Sequence, residues 1–120
     1  MLGGGGREHA IAWRLIQDGA SEVIAAPGNP GIAQLGRCLP VPASIAGYAE
    51  LAQSEKVDFT VVGPEATLVE GIVDEFRARG LRIVGPTRAA AQLEGSKIYA
   101  KQFFNRAGIP TARSAQTTTY

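Results

Sequence analysis

Asp58-Phe59-Thr60-Val61-Val62-Gly63-Pro64-Glu65 is a short apolar run closed by a glycine-proline turn, and the period changes immediately after it. Leu68, Val69, Ile72, Val73 and Phe76 recur at helical spacing, with Glu70, Asp74, Glu75, Arg77 and Arg79 elsewhere on the wheel and Gly80 as a stop. A second apolar run, Leu81 to Val84, then ends in Gly85-Pro86. Strand, helix and strand in this order form a β-α-β unit, whose strands pair in parallel. The stretch predicts an α/β fold with a mostly parallel sheet, helices on both faces, and loops at the strand ends that can carry function.

The rest of the chain reads outward from this unit. Upstream, Glu22 to Ala26 is a further strand, flanked by helical stretches at Arg7 to Asp18 and Gly47 to Lys56. Downstream, Ser96 to Ala107 reads as a helix closed by Gly108 and then Pro110. Gly28 to Ser44, with Pro30, Pro40, Pro42 and three glycines, reads as a loop with one short edge strand around Arg37 to Val41. Both ends read as incomplete. Only Met1 and Leu2 precede Gly3, so the first strand is expected to lack most of its length, and Ser114 to Tyr120 receives no structure. The chain holds no internal repeat and no low-complexity tract.

At 120 residues, with 45% hydrophobic and 19% charged residues, the composition is that of one globular domain. Twelve basic against eleven acidic residues leave a formal charge of +1, so no broad field favours nucleic acid or an anionic membrane, and an anion site has to be local. Cys38 is the single cysteine and His9 the single histidine, which excludes an internal disulfide and a Cys/His metal set. No apolar run approaches the roughly 20 residues that span a bilayer, and no signal-like segment follows Met1, so a cytoplasmic protein without a membrane anchor is expected.

The residues with chemical promise sit at strand ends. Gly3-Gly4-Gly5-Gly6-Arg7-Glu8-His9-Ala10 lies where a first strand hands over to a first helix. Glycines there let backbone N–H groups approach a phosphate, and the helix dipole adds a favourable field. The competing interpretation is a tight turn with no ligand. A dinucleotide fingerprint fails, because the third glycine position is Glu8 or His9 and the second strand ends Ala25-Ala26-Pro27 without an acidic residue for a ribose hydroxyl. Gly63-Pro64-Glu65 occupies the corresponding place after its own strand, where Glu65 could meet sugar hydroxyls or an amine, or simply complement the helix dipole. Pro27-Gly28-Asn29 is a similar loop. Lys97 and Lys101 lie four apart, on one helix side, where a lysine could hold a nucleotide phosphate or be solvated. His9 reads as a helix-packing or capping residue, Trp13, Tyr99, Phe103 and Phe104 as core, and Cys38 as a small buried hydrophobe.

Together these residues resemble one family. Gly3 to Ala10, Ala26-Pro27-Gly28-Asn29, Val61-Val62-Gly63-Pro64-Glu65-Ala66, Gly85-Pro86-Thr87 and Ala91-Gln92-Leu93-Glu94-Gly95-Ser96-Lys97 follow the order and spacing of the phosphoribosylamine-glycine ligases, from Gly3 to about Thr111. The resemblance implies a Rossmann-like pre-ATP-grasp domain over residues 1–97, binding phosphoribosylamine, and the start of an ATP-grasp domain over 98–120. It implies a ligase of purine synthesis that joins phosphoribosylamine to glycine with ATP, giving glycinamide ribonucleotide, ADP and phosphate through a glycyl phosphate. By the same resemblance Gly4, Gly5, Gly6, Arg7 and Glu8 hold the substrate phosphate, Asn29, Gly63, Pro64 and Glu65 shape the sugar pocket, and Lys101 lies near ATP.

The family's metal-binding carboxylates, for Mg²⁺ or Mn²⁺, its remaining ATP groups and most of its glycine site belong to a later portion, so no catalytic residue and no ligase activity are expected of these 120 residues alone. The full-length enzyme is expected to be a monomer with small-molecule partners only. Thr67 stands where the family has a proline after Glu65-Ala66. The alternatives are the leading domain of another ATP-grasp carboxylate-amine ligase or biotin-dependent carboxylase, a Rossmann-like nucleotide-binding module without catalysis, and a chain too short in its first strand to fold alone.

Overall fold

The computed structural model describes residues 1–115 and 117. Five short strands, β1 (Leu2–Gly3), β2 (Ile24–Pro27), β3 (Arg37–Cys38), β4 (Thr60–Val61) and β5 (Ile83–Val84), alternate with helices α1 (Gly6–Gln17), α2 (Ile45–Ser54), α3 (Glu65–Glu70), α4 (Ile72–Ala78), α5 (Arg88–Gly95) and α6 (Lys97–Ala107). A 3₁₀ turn, Ile32–Gln34, lies between β2 and β3. All pairings are parallel: Leu2 opposite Ala26, Ile24 opposite Arg37, and Thr60 opposite Ile83. A parallel bridge between Leu2 and Val62, with Gly63 N–H donating to the Leu2 carbonyl at 3.0 Å, joins the two halves. The strand order is therefore 3-2-1-4-5, reversing direction between β1 and β4.

Reversal places helices on both faces, because right-handed crossovers running in opposite directions along a sheet fall on opposite sides. On the α1 face, Ala12 packs with Val23, Ala25 and Ile32. On the other, Leu2 and Ala26 meet Tyr48, Ala49 and Ala52 of α2, Leu68 of α3, Ile72, Val73 and Phe76 of α4, and Ala91 of α5. Ala25 and Ala26 are consecutive yet serve opposite cores, as the two-residue period of a strand requires. The two-residue β1 nevertheless holds the centre of the sheet, since its partners on either side take up its backbone groups, including Ala26 N–H on the Met1 carbonyl at 3.1 Å.

Three expectations are corrected. The helix read continuously from Leu68 through Phe76 is two helices, broken at Gly71, whose φ of 100° ends α3 in the left-handed region and starts α4 at a new angle. Leu68 and Phe76, on either side of the break, reach the same core. Trp13 and Tyr99 were expected in the core but are 50% and 37% exposed; α1 turns Ala12 inward, which points its neighbour out, and α6 buries only Ala100. Cys38 is exposed on the edge strand β3 rather than buried.

The other expected elements appear with shifted ends, and one further helix appears that was not expected. Ser44 starts α2 two residues ahead of Gly47, because its hydroxyl accepts Gly47 N–H at 3.1 Å. Helix α5, assigned no element from sequence, is capped by Thr87 and separated from α6 by Ser96, whose hydroxyl accepts Tyr99 N–H at 3.3 Å. The edge strand β3 is pinned by Arg37, which pairs with Glu22 at 2.5 Å and Glu55 at 2.7 Å. The radius of gyration is 16.9 Å, against about 13.6 Å for a compact domain of this length, consistent with an α6 that leans on α5 and buries little. No helix among the described residues is long and apolar enough to cross a membrane.

Candidate functional site

Where the strand order reverses, the loops after β1 and β4 meet at the carboxyl ends of the strands, on the rim where open α/β sheets place their ligand crevice. One wall is the glycine loop Gly3 to Gly6 running into α1, and the other is Gly63-Pro64 running into α3. The loop after β2, carrying Gly28 and Asn29, closes the side.

Three side chains fix these loops to one another. Glu8 is 6% exposed and turns its carboxylate inward, where Oε2 accepts Gly5 N–H at 2.6 Å and Oε1 accepts Arg7 Nε at 3.2 Å. Arg7 reaches across the crevice and donates through Nη2 to the Gly63 carbonyl. Asn29 donates through Nδ2 to the Gly4 carbonyl at 2.9 Å while its Oδ1 accepts Ile32 N–H at 2.9 Å, so it ties the glycine loop to the 3₁₀ turn. Among the described residues no buried side-chain nitrogen or oxygen lacks a partner.

Gly63 is a glycine because Glu8 lies against it. A Cβ there would fall 2.1 Å from Glu8 Oε1 and 2.5 Å from its Cδ, closer than any real carbon approaches. The close approach of α1 to β4 thus depends on one missing methyl group.

The predicted site residues fall into two sets. Gly4, Gly5, Gly6, Arg7, Asn29, Gly63, Pro64 and Glu65 come together around the crevice, with Gly5, Gly6, Arg7 and Glu65 exposed. Glu8 belongs to the same cluster but as an internal latch, its carboxylate spent on Gly5 and Arg7. Lys101 lies apart, on α6, with its ammonium turned onto Thr111 Oγ1 at 2.6 Å and the Ala112 carbonyl at 2.7 Å. Lys97 is exposed, and the His9 ring packs against Gly31, the helix-packing role expected of it.

The latching roles of Glu8 and Asn29 were missed from sequence. Glu8 sits at the third position of α1, where a carboxylate reaches back to the N-cap amide, and this spacing was the available signal. No sequence signal marks Asn29, whose partners lie on the distant Gly4 loop as well as on Ile32.

A separate cleft of about 390 Å³ opens at the opposite, amino ends of the strands, lined among others by Met1, Leu15, Val23, Ile24, Val57 and Phe59. Its position argues against a substrate site, since ligands of doubly wound sheets gather at the carboxyl ends. Beside it the Met1 ammonium donates to the Ile24 carbonyl at 2.7 Å, and burial lowers its pKa from the ordinary value. Among the described residues no three His, Cys, Asp or Glu side chains converge as a metal ligand set.

Strand order, two-faced helix packing and a switch-point crevice walled by a glycine loop define a doubly wound, Rossmann-like α/β domain. Comparison with known proteins narrows this. The model of the family described as "Phosphoribosylglycinamide synthetase, N domain" matches residues 1–94, and the chain belongs to that family. It is 57% identical over 122 residues to the phosphoribosylamine–glycine ligase of Xylella fastidiosa strain 9a5c, covering 98% of this chain and 28% of that protein. The ligase of Escherichia coli O6:H1 is 53% identical over 116 residues, covering 93% and 27%. Among solved structures, the phosphoribosylamine–glycine ligase of Thermotoga maritima superposes with a TM-score of 0.66 at 35% identity, over 93% of this chain and 25% of that one. The chain thus spans about a quarter of the length of these relatives, and its residues 1–94 correspond to the N domain.

Proposed function

We propose that the chain is the sugar-phosphate-binding portion of a ligase that joins 5-phosphoribosylamine to glycine with hydrolysis of ATP to ADP and phosphate, forming glycinamide ribonucleotide in purine synthesis. The observation that carries the proposal is the meeting of the glycine loop, the α1 amino terminus, Arg7 and the Gly63-Pro64-Glu65 turn in one switch-point crevice, in a chain of this family. The first-turn N–H groups of Gly6 and Arg7 have no acceptor within the helix and offer themselves to a phosphate together with the Arg7 guanidinium. Gly4 and Gly5 supply the close approach, while Asn29, Gly63, Pro64 and Glu65 shape the space for the sugar. Glu8 serves the phosphate through the loop it holds.

On this proposal residues 1–97 form the phosphoribosylamine-binding domain and 98–120 open the ATP-grasp domain, an assignment supported by the family match ending at residue 94 and by the weak burial of α6. Lys101 would meet ATP after exchanging its present partners on Thr111 and Ala112. The carboxylates for Mg²⁺ or Mn²⁺, the other ATP-binding groups and the glycine site would belong to the part of the relatives that this chain does not span, so these 120 residues alone would not turn over glycine and ATP. The partners are small molecules, the full enzyme is a monomer, and the compartment is the cytoplasm.

The test is an amide NMR titration of the chain with ribose 5-phosphate, a stable stand-in for the amine substrate. Saturable shifts confined to Gly4 to Arg7 and Gly63 to Glu65 are expected, with Arg7→Ala weakening binding while the spectrum stays dispersed. A dispersed spectrum that does not move with ribose 5-phosphate but moves with NAD would replace this reading by a nucleotide-binding module.

A further inference from the structure

A carboxylate beside the arginine of a phosphate site opposes the very charge the site must hold. The fold removes that conflict by burying Glu8 and by giving its two oxygens separate tasks. Oε2 occupies Gly5 N–H, so the anion is left the amides of Gly6 and Arg7, and Oε1 holds the Arg7 guanidinium by its Nε edge. The same side chain fills the space against Gly63 on the opposite wall, and Arg7 itself bridges to the Gly63 carbonyl. Glu8 therefore touches both walls of the crevice and reaches the ligand space with neither oxygen.

We infer that Glu8 is a positioning residue that sets the register between the glycine loop and the Gly63-Pro64-Glu65 turn, and thereby makes the site select a phosphate carried on a sugar over free inorganic phosphate. The inference rests on the sugar-phosphate reading above. Inorganic phosphate needs only the α1 amino terminus and Arg7, which can adjust around a small ion. A sugar phosphate is held at one end by that loop and at the other by the β4–α3 turn, so it is sensitive to how the two are aligned. Loss of the Glu8 charge leaves Arg7 held by the Gly63 carbonyl alone and so loosens the alignment of the two walls, and it also removes a negative charge from the neighbourhood of the anion.

Glu8→Gln keeps the size of the side chain and an acceptor for Gly5 N–H while abolishing the ion pair. Titrating wild type and Glu8→Gln with ribose 5-phosphate and with inorganic phosphate, the Kd for ribose 5-phosphate is expected to rise about tenfold, the scale of one charge-assisted hydrogen bond, while that for inorganic phosphate stays level or falls. A purely structural role would weaken both ligands together, so parallel losses, or no change in either, overturn the inference while leaving the proposed function standing. A wild type that binds neither ligand overturns both. Should Glu8→Gln fail to fold, the wild type decides through the Arg7 Nε–H signal: exchange with solvent slowed at least tenfold relative to free arginine supports the pairing, and exchange at the free rate refutes it.

Discussion

Gly63→Ala is the substitution whose cost the structure sets most directly. The added Cβ would sit 2.1 Å from Glu8 Oε1, 2.5 Å from Cδ and 2.6 Å from Cγ, so the Glu8 side chain has to leave its place. Leaving breaks its bonds to Gly5 N–H at 2.6 Å and to Arg7 Nε at 3.2 Å. Two charge-assisted bonds at the lower end of their range amount to about 3 kcal/mol. Gly63 is not in the left-handed region, so alanine is allowed there and returns about 0.5–1 kcal/mol by restricting the unfolded chain. The net expectation is a destabilisation of about 2–2.5 kcal/mol, a large part of the stability of a domain this size. Urea unfolding followed by far-ultraviolet circular dichroism measures it, with Glu8→Ala and the double variant completing a cycle. Glu8→Ala removes all three of these Glu8 atoms, so the two changes should couple by at least about 1.5 kcal/mol. A single-variant cost below about 0.5 kcal/mol, or additivity of the pair within that error, would show that Glu8 and Gly63 do not share the space assigned to them.

Phe76 is fully buried on α4, and Phe76→Ala should cost about 3–5 kcal/mol by the same unfolding assay, whereas Trp13→Ser on the exposed side of α1 should stay within about 0.5 kcal/mol. Asn29→Ala leaves the Gly4 carbonyl and Ile32 N–H without their partner and is expected to cost about 1–2 kcal/mol, with the Ile32 amide exchanging faster in hydrogen-exchange measurements. The Glu22 carboxyl is held below its ordinary pKa of 4.5 chiefly by its hydrogen bond from Arg37. A carboxyl lowered in the folded state favours folding above its unfolded pKa and loses that contribution as pH falls through the folded value. Arg37→Met should therefore flatten the loss of stability on acidification below about pH 4.5, seen as a smaller shift of the urea midpoint than in wild type, and identical acid profiles would refute the pairing.

The α/β class and the parallel sheet were legible because β2, β4 and β5 lie in short apolar runs closed by Pro-Gly or Gly-Pro, a local signal that survives without tertiary context. Residues 58–65 and 81–86 show this most clearly. The residues at the crevice were legible for a related reason: in a parallel sheet every strand's carboxyl end faces the same way, so loops distant in sequence share one rim. Burial around α4 was less so. The continuous pattern from Leu68 to Phe76 hides the break at Gly71, since a glycine is tolerated inside a helix and only packing shows that it has turned left-handed. Trp13, Tyr99 and Cys38 misled because a residue's hydrophobicity states what it would gain by burial, not whether its side of the element faces a neighbour.

By itself, then, the sequence determined most of the elements and their order, though not α5 or the break at Gly71, together with the residues at the strand ends and the resemblance to a ligase family, all of which are written in local spacing. The tertiary structure alone decided that the order is 3-2-1-4-5, that the two-residue β1 lies at the centre of the sheet, and that Glu8 packs against Gly63 while Asn29 reaches the Gly4 carbonyl. Those facts depend on groups distant in sequence meeting within hydrogen-bond reach, as Gly63 N–H and the Leu2 carbonyl do, and as Arg7 and the Gly63 carbonyl do 56 residues apart. Such meetings follow from chain closure and packing, which no local pattern encodes.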